Sequence, residues 1–80
     1  MLFEYAELGK VIRALRREKG LSQEVLSGLA GIARTHLSMI ENGTMKASIE
    51  TVSKIALALE LRPSELLALV EERQENADMK

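Results

Sequence analysis

Apolar residues recur three and four positions apart along this 80-residue chain, in five short segments separated by Gly, Ser or Pro. Leu8, Ile12 and Leu15 show the pattern first, in a segment that ends at Gly20. This interval places the apolar side chains on one face of an α-helix. No segment alternates apolar and polar residues as a half-buried strand would, so we predict an all-α domain.

The same pattern predicts five helices and their approximate ends. They fall at about residues 5–19, 23–30, 33–41, 48–59 and 63–71. Ser22 and Ser48 are candidate N-caps, because a serine hydroxyl accepts a hydrogen bond from a first-turn amide. Gly31 permits a tight turn between the second and third helices. The polar residues 73–80 are expected to form a frayed tail.

The composition restricts the core to aliphatic side chains. Hydrophobic residues make up 46% of the chain, whereas Phe and Tyr occur once each and Trp is absent. A chain of this length builds one core, so residues 1–80 are predicted to form a single five-helix bundle. The chain has no Cys and one His, so we expect no disulfide, no metal site and no cofactor.

The chain shows no sign of a membrane span or a secretion signal. No apolar stretch approaches the roughly 18 residues that a span needs. Glu4 and Glu7 stand where a secretion signal would carry basic residues. We therefore expect a cytoplasmic protein without a membrane partner.

Charge is unevenly distributed, although the net charge is only −1. Residues 10–54 carry eight Lys and Arg against four Glu, whereas residues 55–80 carry three basic and six acidic residues. A basic centre can be a nucleic-acid face, set against an acidic end used for something else. It can equally be an ordinary solvated surface.

One stretch resembles a known DNA-binding motif. It runs Leu21-Ser22-Gln23-Glu24, Ala30-Gly31-Ile32 and Ile40-Glu41-Asn42-Gly43, and it is similar to the helix-turn-helix of the phage repressor and Cro-type (XRE) family. The likeness extends from Leu8 to about Leu67. It implies a lambda-repressor-like five-helix fold, with the helix-turn-helix at about residues 22–42, and a homodimeric transcription regulator that binds a palindromic operator in double-stranded DNA.

A second resemblance points to a subfamily. Residues 34–41, RTHLSMIE, are similar to the R-T-Y-I-S-x-I-E run of restriction–modification controller proteins. His36 replaces the usual Tyr, and Met39 stands where a Gly or a polar residue is common. The resemblance implies a repressor or an activator, with RNA polymerase as a further partner.

The resemblance assigns the outward face of the third helix to base reading. Arg34, Thr35, Ser38 and Met39 share that face. The Arg34 guanidinium suits O6 and N7 of a guanine, and a phosphate clamp is the alternative.

Other residues are expected to contact phosphate or to support the motif. The predicted phosphate contacts are Gln23, His36, Asn42, Thr44 and Lys46. For His36, packing of the ring at the helix edge is an alternative. Arg16 and Glu41 match an ion pair that joins the first helix to the end of the third.

The dimer is predicted to form through the C-terminal third, at about residues 59–72. The candidate contacts are Leu61, Leu66, Leu67, Leu69 and Val70, and the alternative for each is intramolecular core, which we favour for Leu66. Val25 and Leu29 form an apolar pair on an outer face. Either residues 1–3 or a partner such as RNA polymerase would cover them.

One other function class remains open, and a second is not expected. An antitoxin of a toxin–antitoxin pair would bind DNA only secondarily to neutralising a toxin. An enzyme is not expected, because the sequence lacks a phosphate-binding Gly loop, a metal cluster and a catalytic triad.

Overall fold

A computed structural model describes residues 4–78 and contains five helices. They are α1 (Tyr5–Glu18), α2 (Gln23–Ala30), α3 (Arg34–Glu41), α4 (Ile49–Ala58) and α5 (Pro63–Asp78). No strand occurs within the described residues. The prediction of an all-α, five-helix fold is confirmed.

The helix ends form where the sequence predicts them around the central motif. The Ser22 hydroxyl accepts a hydrogen bond from Val25 N at 3.1 Å, and Ser48 does the same for Thr51 N at 3.1 Å. Gly31 adopts a left-handed conformation with φ of 71°, which lets Ile32 N donate to the Ser27 carbonyl at 3.0 Å. The bond from Ile32 satisfies a free carbonyl at the end of α2, and the turn at Gly31 lets α3 begin only four residues after α2 ends.

All five helices contribute to one core. α1 packs against α3 and α5, and α2 packs against α3 and α4. The largest fully buried side chains are Leu8, Ile12, Leu26, Leu37, Ile40, Ile55, Leu59, Leu66 and Val70. Each such side chain stabilises the fold by roughly 1.5–3 kcal/mol relative to leaving it exposed. Leu37 and Ile40 therefore anchor α3 from one side and leave its other side facing outward.

Gly9 allows α1 to approach the end of α3 at backbone distance. A Cβ at this position would lie 2.3 Å from the Ile40 carbonyl oxygen and 2.6 Å from that of Glu41. Neither oxygen can move without moving α3 itself. The absence of a side chain at Gly9 thus sets how closely the two helices pack.

The predicted frayed tail is wrong for the residues that the structure describes, because α5 continues to Asp78. Gln74 is buried, and its Oε1 accepts a hydrogen bond from Glu4 N at 3.0 Å. Arg73 forms an ion pair with Glu7. These contacts join the last turns of α5 to the start of α1, so the polar sequence is ordered by packing against α1.

Two of the predicted dimer contacts belong to the core of one chain. Leu66 and Val70 are both 0% exposed, so neither can form a contact surface for a partner. They lie four residues apart on the inner face of α5, where they join the shared core. The dimer prediction is corrected for both residues: Leu66 takes the core position already favoured for it, and Val70 joins it there. Leu67 and Leu69 remain 37% exposed, and Leu61 is partly buried.

None of the helices within residues 4–78 is both long enough and apolar enough to cross a membrane.

The close approach at Gly9 predicts opposite effects for two glycine substitutions. Gly9→Ala should lower the free energy of unfolding by about 1–3 kcal/mol, because the added methyl group pushes α3 away from α1. Gly28→Ala is the matched control, since a Cβ there meets nothing within 4 Å, and it should raise stability by roughly 0.5–1 kcal/mol. Thermal unfolding followed by circular dichroism measures both. Equal melting temperatures for the two variants would contradict the close contact.

Candidate nucleic-acid interface

The eight residues of α3 divide into an inner and an outer face. Leu37, Ile40 and Glu41 are buried on the inner face. The outer face carries the side chains that the sequence predicts to read bases: Arg34, Thr35 and Met39 are exposed, and Ser38 is partly buried. The structure therefore brings all four to one surface. His36 is partly buried beside them.

The predicted phosphate contacts border this surface but are not equally available. Gln23 is partly buried at the start of α2, whereas Asn42 and Lys46 are exposed in the segment that follows α3. Thr44 differs, because its backbone N–H and its hydroxyl both donate to the Met39 carbonyl, at 3.0 and 3.2 Å. Neither donor is available to a phosphate while these bonds hold, so the structure does not support the prediction for Thr44.

A buried carboxylate joins three helices behind this surface. Glu41 is 3% exposed at the end of α3. Arg16 of α1 donates to it through both arms of the fork, with Nε to Oε2 at 2.7 Å and Nη2 to Oε1 at 2.9 Å. The ion pair expected from the sequence is thus present as a bidentate contact. Gln23 of α2 adds a bond from Nε2 to Oε1 at 3.1 Å.

Arg13 is a member of this network that the sequence analysis missed. Its Nε lies 3.4 Å from Glu41 Oε1, and its Nη2 donates to Asn42 Oδ1 at 2.7 Å. Arg13 and Arg16 are three residues apart and therefore share a face of α1, which is the signal that the sequence did contain. The same spacing gave no indication that Asn42 would be its partner.

The ionisation of Glu41 follows from its partners. Burial alone would raise the pKa of this carboxyl, but hydrogen bonds from Arg16, Gln23 and Arg13, with the charge of Arg16, outweigh burial and hold the pKa below 4.5. The Glu41 carboxylate correspondingly raises the pKa of Arg16. Both groups therefore stay charged near neutral pH.

Within residues 4–78, no three His, Cys, Asp or Glu side chains are grouped so that they could hold a metal ion.

The profile of the helix-turn-helix family HTH_3 matches residues 12–66, which is more than half of the chain. The chain belongs to this helix-turn-helix family. The resemblance seen in the sequence is confirmed, and the family is one of DNA-binding regulators, not of enzymes.

The chain is similar to a phage protein and to two restriction–modification controller proteins whose structures have been solved. The ImmF control region 10 kDa protein of Bacillus phage phi105 is 42% identical over 55 residues, which are 69% of this chain and 61% of the phage protein. The restriction–modification controller C.AhdI of Aeromonas hydrophila is 39% identical, with a TM-score of 0.75 over 78% of this chain and 94% of that one. The controller C.Esp1396I, solved as a tetramer with its 35 base-pair operator, is 26% identical, with a TM-score of 0.81 over 90% and 95% of the two chains.

The lowered pKa of Glu41 predicts that the fold loses stability in acid. The ionised carboxylate stabilises the folded state fully above about pH 4.5, and the stabilisation is lost as the pH falls through the lower pKa of the folded chain. Melting temperatures measured across the acid range should fall for the unmodified chain.

Glu41→Gln should start from a lower melting temperature and fall less steeply in the same pH window. Glu7 contributes there too, since hydrogen bonds from Arg73 and Lys10 overcome burial and lower its pKa. The melting profile of Glu7→Gln, measured over the same pH range, therefore gives the share of the acid transition that is due to Glu7. A Glu41→Gln profile that runs parallel to that of the unmodified chain would show that Glu41 is not the group that titrates.

Proposed function

We propose that the protein is a sequence-specific transcription regulator that binds a palindromic DNA operator as a homodimer. The observation that carries the proposal is the two-faced α3 helix: its inner face is fixed by the core and the Glu41 network, and its outer face exposes Arg34, Thr35 and Met39. An α-helix with its side chains is about 10–12 Å in diameter, which fits the major groove, about 12 Å wide.

Each side chain on the outer face has a chemistry that suits base edges. Arg34 can donate to O6 and N7 of one guanine, whereas Ser38 and Thr35 can bond several bases. Met39, which is 41% exposed, offers apolar contact to a thymine methyl group. Base reading is thus assigned to Arg34, Thr35, Ser38 and Met39.

Phosphate contacts on either side of α3 would set its position in the groove. We assign them to Asn42, Lys46 and His36, and to the second N–H of the Gln23 amide, since the first is bonded to Glu41. Thr44 is left out for the reason given above.

Dimerisation would place two copies of α3 one helical turn of DNA apart, about 34 Å. Among the predicted contacts, Leu61, Leu67 and Leu69 remain candidates for this role, and we centre the contact on Leu69. Leu69 borders a surface groove between α1 and α5, beside Val11, Ala14 and Leu15. Leu67 and Leu69 point about 200° apart around α5, so one two-fold contact cannot centre on both.

The likeness to C.AhdI and C.Esp1396I supports a role as the controller of a restriction–modification system, acting in the cytoplasm as repressor or activator. None of the relatives named above suggests an antitoxin. Val25 and Leu29 are 48% and 63% exposed, and RNA polymerase is one of the two covers expected for this pair. Residues 1–3, the other cover expected from the sequence, lie outside the described residues.

Substitution of Arg34 should separate base reading from phosphate binding. Arg34→Ala should weaken binding to a duplex selected from random DNA by about 1–3 kcal/mol and weaken binding to unselected DNA less, because only the former offers the guanine contact. Lys46→Ala is the control. It should weaken binding to both duplexes equally, and it should reduce the slope of the logarithm of the binding constant against the logarithm of the salt concentration by about one, since one phosphate contact is lost. Equal losses on both duplexes for Arg34→Ala would make Arg34 a phosphate contact.

The position of the two-fold axis is tested by a charge on α5. Leu69→Glu should give a folded monomer by circular dichroism and sedimentation, whose affinity for the selected duplex falls toward the non-specific level. Leu67→Glu is the matched control on the opposite side of the helix. If Leu69→Glu and Leu67→Glu both remain dimeric, the two-fold axis lies elsewhere on the molecule.

A further inference from the structure

Arg13 and Asn42 form a hydrogen bond whose direction is fixed by chemistry. Arg13 Nη2 lies 2.7 Å from the oxygen of the Asn42 side-chain amide. A guanidinium only donates hydrogen bonds, so the amide must turn its oxygen toward Arg13. The amide nitrogen of Asn42, with two N–H donors, is then directed away from Arg13.

The backbone of Asn42 is held in place on both sides of the residue. Asn42 N donates to the Ser38 carbonyl at 3.0 Å, which keeps the residue in the last turn of α3. The next residue, Gly43, is left-handed with φ of 75°, and a Cβ there would lie 3.0 Å from the Cα of Ala6. The backbone after α3 therefore packs directly against α1. Only the side-chain torsions of Asn42 can still vary, and the hydrogen bond from Arg13 restricts them.

The Arg13 guanidinium is itself held in place by the buried carboxylate of Glu41. Its Nε lies 3.4 Å from Glu41 Oε1, and Glu41 is anchored by the bidentate contact with Arg16. One guanidinium thus links the buried carboxylate to an exposed amide at the edge of the candidate interface.

The other side-chain amide of this network is oriented in the opposite sense. Gln23 turns its nitrogen toward Glu41 at 3.1 Å, because a carboxylate only accepts hydrogen bonds. One N–H of Gln23 is therefore occupied and its oxygen is free, whereas both N–H groups of Asn42 are left for an outside acceptor. Phosphate oxygens are acceptors, so Asn42 has the better arrangement of the two.

We propose that Arg13 is a positioning residue, which holds the Asn42 amide with its N–H donors directed at a phosphate oxygen of double-stranded DNA. The inference rests on the proposed function and adds a role for a residue that does not touch the base-reading face. Loss of Arg13 would free the amide to rotate, and ordering it again on binding should weaken affinity about 3- to 10-fold for each half-site.

A double-mutant cycle tests the proposal. Arg13→Ala, Asn42→Ala and the double variant are compared with the unmodified chain, first on random-sequence duplex DNA at low salt and then on a duplex selected by the unmodified chain. Circular dichroism first establishes the temperature at which all four are folded. We expect Arg13→Ala to weaken binding about 3- to 10-fold per half-site in the unmodified background, and by less than about 2-fold when Asn42 is already alanine. The same loss in both backgrounds, or no loss in either, would overturn the proposal.

Asn42→Asp tests the direction of the amide without altering Arg13. The aspartate keeps an acceptor for Arg13 but presents an oxygen where the N–H donors were. We expect a melting temperature no lower than that of the unmodified chain, with DNA binding at least as weak as that of Asn42→Ala. Binding by Asn42→Asp equal to that of the unmodified chain would overturn the proposal even if Arg13→Ala fails to fold. If the unmodified chain binds neither duplex, the proposed function itself is wrong, which is a separate outcome.

Discussion

The carboxylate of Glu41 is the group on which the candidate interface depends. It is buried where α1, α2 and α3 meet, and it accepts hydrogen bonds from Arg16, Arg13 and Gln23. Removing one partner of such a buried pair leaves an uncompensated charge, at a cost of about 3–5 kcal/mol. A cluster of this kind contributes less to net stability than to geometry, because hydrophobic residues can often replace a buried pair without loss. We infer that these hydrogen bonds set the angle of α3 relative to α1 and α2.

The two ends of α3 are therefore held very differently. At its C-terminal end, Glu41 is bonded to two helices, and Gly9 lets α1 approach the last carbonyl groups directly. At its N-terminal end, Ala33 supplies no capping side chain, and Arg34 and Thr35 are exposed. The helix is thus fixed at the end that lies against the core and open at the end that would enter the groove. This arrangement combines a rigid position with side chains that are free to bond bases.

Local signals in the sequence were sufficient to predict the helices and the outward face of α3. Helical spacing, the serine caps and Gly31 each act within a few residues, so their effect does not depend on the rest of the fold. The length of α5 could not be predicted this way, because the partners of Arg73 and Gln74 lie at the other end of the chain. Val70 was assigned to a surface for a related reason: its burial depends on a groove that only the assembled helices form. Arg13 was missed because its link to Asn42 spans 29 residues.

A crystal structure of the protein bound to a duplex selected from random DNA tests the central claim most directly. The account predicts that α3 lies in the major groove, with Arg34 in contact with a base edge. It also predicts that the bidentate contact between Arg16 and Glu41 is unchanged from the free chain, because that contact sets the angle of α3 before DNA is bound. A complex in which α3 lies outside the groove would contradict the account, as would one in which Glu41 has exchanged its partners.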